Sequence, residues 1–116
     1  MESRIISLQN KISRDEIKSM ADDSFGDMTK AVVDLANSLM AVGGELHSDE
    51  EKLLLESGSI QQNLWGINLY PVHEHPEWIE FDSMINIRPS QNNRSRSVED
   101  EKIREQIIAL VASLIK

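Results

Sequence analysis

At 116 residues, with 40% hydrophobic and 28% charged residues, the chain has the composition of one ordinary globular domain, 1–116, with room for a real core. Its formal net charge of −8 argues against broad nucleic-acid or anionic-membrane binding, which needs a cationic surface. No apolar run approaches the ~20 residues of a membrane span, the N-terminal residues lack the pattern of a signal peptide, and cysteine is absent, so disulfides and thiolate metal sites are excluded and the cytoplasm is the expected location.

Ile5, Ile6 and Leu8 suit a short first strand. Ser13-Arg14-Asp15-Glu16 is a capping box, with Ile12 and Ile17 placed as a hydrophobic staple, and predicts a helix to about Asp22 or Asp23. Met28 to Gly44 reads two ways. Met28, Ala31, Val32, Leu35, Leu39 and Val42 fall at helical spacing, yet Lys30–Leu35 and Leu39–Val42 also make two strands turning through Ala36-Asn37-Ser38. Ser48-Asp49-Glu50-Glu51 is a second capping box, predicting a helix that ends at Ser57-Gly58-Ser59. Leu64 to Tyr70 alternates as a strand, with Trp65, Ile67 and Leu69 on one face and Asn68 and Tyr70 on the other. Pro71 to Pro76 is then a short connection.

From Ile79 to Arg88 the alternation is strict: Ile79, Phe81, Ser83, Ile85 and Ile87 point one way, Glu80, Asp82, Met84, Asn86 and Arg88 the other. This predicts a half-buried central strand ended by Pro89, followed by a polar loop bearing Arg94 and Arg96. Ile103, Ile107, Leu110, Val111 and Leu114 form the apolar stripe of a last helix that packs on the sheet.

Three strings carry a resemblance: Gly43–Glu51 (GGELHSDEE), Leu64–Pro71 (LWGINLYP) and Glu77–Arg96 (EWIEFDSMINIRPSQNNRSR). Over roughly Phe25 to Arg96 the chain resembles a family of small bacterial and archaeal proteins classed as a domain of unknown function, a likeness that implies no activity. It implies a hairpin over Ala31 to Val42. Where the family often has a glycine in or just after the arginine loop, this chain has Asn92 and Ser97; asparagine tolerates left-handed backbone better than most residues. With the hairpin adopted, the order is β-α-β-β-α-β-β-α: an α+β fold with a mostly antiparallel sheet of about five strands and the helices on one face. Ile67, Leu69, Ile79, Phe81, Ile85 and Ile87 would lie under the helices. Asp34, Asn68, Tyr70, Glu80, Asp82, Asn86 and Arg88 would line the open face.

Four groups of residues are candidates for chemistry. Glu80 and Asp82 share a strand face about 6.5–7 Å apart, where two carboxylates can divide acid and base work or hold a hard cation; the simpler explanation is the wetted face of a sheet. Arg88, Arg94 and Arg96, with Ser90, Asn92, Asn93 and Ser95, could hold a phosphate or carboxylate next to the N–H groups that open the last helix; alternatively the arginines pair with the protein's own acids. His73 and His75, joined by His47, would need a fixed geometry to bind zinc. Ser83 beside Asp82 lacks a nucleophile elbow. The leading expectation is a module binding a small anionic ligand through the arginine loop, with Asn68 and Tyr70 nearby and no cofactor. The alternatives are an interaction or homodimer surface on the polar sheet face, and a hydrolase using Glu80 and Asp82.

Overall fold

The computed structural model describes residues 3–74 and 77–116, so His75 and Pro76 lie outside it. Five strands form one antiparallel sheet: β1 (Arg4–Ile6), β2 (Thr29–Asp34), β3 (Leu39–Val42), β4 (Leu64–Leu69) and β5 (Ile79–Glu80), in the order β1-β3-β2-β4-β5. The helices are α1 (Arg14–Asp23), α2 (His47–Glu56) and α3 (Glu101–Leu114). The α+β class and the element order agree with the sequence reading. None of these helices is long and apolar enough to cross a membrane.

The local signals explain most of the elements. Ser13 caps α1, and Glu16 returns the bond to the Ser13 N–H at 3.2 Å, completing the capping box. Both staple residues, Ile12 and Ile17, are buried. The β2–β3 turn is organised by Asp34, whose carboxylate accepts the N–H groups of Ala36 (3.0 Å) and Asn37 (3.1 Å). Expected on the open face, Asp34 is instead fully buried, and Ser59 Oγ donates to it at 2.6 Å.

Strand alternation divides the core. Ala31, Val33, Met40, Val42, Trp65, Ile67 and Leu69 face the main cluster, where Ile17 of α1 and Ile107, Val111 and Leu114 of α3 cover them. Val32, Ala41 and Leu64 face the other way and meet Leu54 of α2. The helices are therefore split between the two faces, whereas the sequence reading placed them together. All six residues of β4 are buried because both of its faces are covered.

Two further expectations are corrected. The second capping box does not form: α2 starts two residues earlier than a Ser48 cap would set it, after Leu46, which makes no side-chain cap. Glu50 instead reaches back to accept the Gly44 N–H at 3.0 Å. The strand predicted from Ile79 to Arg88 stops at Glu80 and lies at the sheet edge, while β2 is central. Single 3-10 turns follow at Met84–Asn86 and Pro89–Gln91. Turning breaks the alternation: Ile79 stays in the main core with Phe81 packed against it, Ile85 joins the α2 cluster, and Ile87 is exposed.

Candidate functional site

Strand register sets three polar residues in a row. Lys30 of β2 stands opposite Asn68 of β4, which stands opposite Glu80 of β5. Neighbouring strands are ~4.8 Å apart, so the row crosses the α2 face in two short steps. Above it lies a cleft of about 520 Å³, with His47 from the start of α2 on one side and Asp82 and Arg96 on the other. That volume suits a small molecule.

Asn68 ties the row together. Its amide donates to Glu80 Oε1 at 2.8 Å and to the Asp82 carbonyl at 3.2 Å, and Tyr70 Oη donates to the same Glu80 oxygen at 3.2 Å. Partial burial, and after it the adjacent Glu80 charge, raises the Tyr70 pKa, so the phenol keeps its proton. His47 places Nε2 2.8 Å from the Ile67 carbonyl oxygen, so that nitrogen carries hydrogen and donates. Burial holds the His47 pKa below the usual range. The ring is neutral, and Nδ1 is left as an acceptor.

Arg96 reaches the cleft because two donors hold its backbone. Its carbonyl accepts the Ser83 N–H at 3.0 Å and the Asn86 amide at 3.0 Å. From there its Nε donates to Asp82 Oδ1 at 2.6 Å. No bond occupies the two terminal guanidinium nitrogens among the described residues. The carboxylate pair and the arginine loop, two separate candidates in the sequence, thus meet at one place.

The other arginines go elsewhere. Arg88 lies over the Trp65 ring, 4.4 Å from its centroid, and donates to the carbonyls of Gln61 (2.6 Å) and Leu64. Leu64 and Asn68 are four strand residues apart, about 13 Å, so Arg88 and Arg96 do not converge. Arg94 and Ser95 give their N–H groups to Glu99 at 2.9 and 2.8 Å. Hydrogen bonds from Ser95 first, then from Arg94, keep the Glu99 pKa below its ordinary value. Asp100 caps the N-terminus of α3. The anion positions of the loop and the helix are therefore filled by the chain's own carboxylates. Asn93 is buried and holds the loop, donating to the carbonyls of Asn86 and Ser97 at 2.7 Å each. Asn92 adopts the left-handed conformation, φ 60°, while Ser90 is exposed beside it.

The histidines do not gather. His73 stacks on Tyr70 with ring centroids 5.5 Å apart, His47 is bonded to Ile67, and His75 lies outside the described residues. Among the described residues no three His, Cys, Asp or Glu side chains are placed to hold a metal ion.

Of the cleft residues, Lys30 carries no site signal in the sequence, and His47 is legible there only as a companion of His73 and His75. Lys30 is the one charged residue inside the apolar half of a strand, T-K-A-V-V. His47 was grouped with the wrong partners because its own, Ile67, is twenty residues away.

A protein-family model described as "Protein of unknown function (DUF5674)" matches residues 5–114. No curated protein and no solved structure matches the chain.

Proposed function

The chain belongs to the DUF5674 family, whose function is not known, and from its own geometry we propose a binding module for a small ligand bearing a phosphate or carboxylate. The observation that carries this reading is the Arg96–Asp82 pair. Asp82 engages Nε alone and so orients the guanidinium, leaving its terminal donors toward the cleft that Lys30 also lines. An anion received by two terminal N–H groups is the favoured geometry for arginine. Because the pair and the backbone bonds to Arg96 already exist, little side-chain freedom is lost on binding. Lys30 has no carboxylate within 4.0 Å among the described residues; its ammonium lies 4.9 Å from the Phe25 ring centroid. Arg88 is no part of this reading.

Asn68 and Tyr70 hold Glu80, and Arg96 holds Asp82, so both carboxylates are fixed in place by the chain's own donors. A homodimer is the second reading, favoured by Leu46 and Met84, both more than half exposed on the rim of the cleft. Titration with inorganic phosphate and a nucleotide panel, read as melting temperature, tests the first reading. Ligand at 100 times its Kd adds about 2.7 kcal/mol of stability. Arg96→Gln should lose most of that gain. Equal shifts in both proteins, together with a dimer in sedimentation, would replace the first reading with the second.

A further inference from the structure

The cleft carries unspent groups of both signs. On the donor side are the terminal nitrogens of Arg96 and the ammonium of Lys30. On the acceptor side, Asp82 uses one oxygen for Arg96, and Glu80 uses one oxygen for both Asn68 and Tyr70. The second oxygen of each carboxylate makes no hydrogen bond among the described residues, and His47 adds the lone pair of Nδ1. Two cations and two carboxylates line one cleft together with the His47 imidazole.

A simple anion would satisfy Arg96 and Lys30 but would sit beside two carboxylates of its own sign. A simple cation would face the reverse mismatch. Only a molecule with both charges completes both sets, and buried or half-buried polar groups left without partners oppose binding. We infer that the ligand is a small zwitterion, with an ammonium group a few bonds from its carboxylate or phosphate. This rests on the anion-binding reading and extends it: the acid end meets Arg96 and Lys30, and the ammonium end meets Glu80, Asp82 and His47. The row from Lys30 to Glu80 spans two strand spacings, about 10 Å between backbones, and the side chains take up much of it. The space left suits an amino acid or an aminoalkyl phosphate.

Matched probes separate the two levels of this reading. Alanine is compared with propionate and ethylamine, glutamate with glutarate, and phosphoethanolamine with ethyl phosphate and ethylamine, each Kd read by calorimetry or amide shifts. At least one zwitterion should bind about tenfold or more tightly than every comparator that carries charge of one sign only, as expected for an added charge-assisted hydrogen bond. Glu80→Gln should bring that ratio close to one while simple anions still bind, and Arg96→Gln should weaken anions and zwitterions alike. Propionate, glutarate or ethyl phosphate binding as tightly as their amino counterparts would overturn the zwitterion and leave the anion site standing. Binding by ethylamine alone, or by no probe, would overturn both. The wild-type comparison decides the matter even if a variant does not fold.

Discussion

The side-chain amide of Asn86 makes to Gly66 both hydrogen bonds that a neighbouring strand would make: the Gly66 N–H donates to Oδ1 at 2.8 Å, and Nδ2 donates to the Gly66 carbonyl at 2.9 Å. One side chain thus completes the edge of β4 after β5 has ended at Glu80. The chain is free to turn there, and the turn carries Asp82 and Arg96 to the cleft. Gly66 is needed for the close approach, because a Cβ at that position would lie 2.5 Å from Ser83 Cβ.

Asn86→Ala leaves the Gly66 N–H and the Gly66 carbonyl without partners, while the Arg96 carbonyl loses one of its two donors and keeps the Ser83 N–H. Buried groups left unpaired cost about 1–3 kcal/mol each before relaxation. Urea unfolding should show a loss of about 3 kcal/mol. Gly66→Ala should cost about 1–3 kcal/mol through overpacking against Ser83. Midpoints unchanged in both variants would mean that the Asn86 segment contributes nothing to the sheet.

Glu50 is fully buried, with Oε2 bonded to the Gly44 N–H and Oε1 without a partner among the described residues. Burial pushes its pKa up to about 9 from 4.5. The folded state therefore keeps a proton that the unfolded chain releases above pH 4.5. This favours folding most below that pH, and the advantage declines as pH rises until the folded group also ionises near 9. At pH 7 the loss is about 3 kcal/mol by linkage. Glu50→Gln should flatten the stability curve between these two pH values. A wild-type curve already flat there would show that Glu50 is ionised in the fold.

Asp82→Asn breaks a pair whose side chains are 43% and 55% exposed, so stability should change by less than about 1 kcal/mol. Its effect on binding should be larger, since Arg96 loses the contact that orients it. Phosphate affinity should fall in Asp82→Asn even though the variant removes a negative charge from the cleft. A rise would mean that Asp82 acts by repulsion and not by positioning.

Ile67 is buried in the main cluster, while Ile87, expected to be its companion on the same face, is 38% exposed. Ile67→Ala should cost about 2–5 kcal/mol, and Ile87→Ala less than about 1 kcal/mol. Thermal or urea denaturation of the two variants separates these values readily. Equal and large losses would restore the long strand that the alternation suggested.

What the sequence determined alone is local. Ser13 and Glu16 bond across three residues, so α1 was legible in full. The stripe from Ile103 to Leu114 and the alternation of β4 were legible because each repeats its signal along one element. The β2–β3 hairpin was not, since alanine, valine and leucine suit either structure; family resemblance supplied it. Tertiary structure decided the rest. The pattern from Ile79 to Arg88 is that of a strand, but Asn86 and Ser83 meet Gly66, some twenty residues away, and those contacts end the strand. Lys30 gained its place from register with Asn68, and His47 from the Ile67 carbonyl. Arg88, Arg94 and Arg96 lie within nine residues of one another, yet they separate because Arg88 takes the carbonyls of Gln61 and Leu64, while Arg96 is drawn to Asp82. A side chain's proximity along the chain says which groups are available, and only the partners folded around it settle which of them it meets.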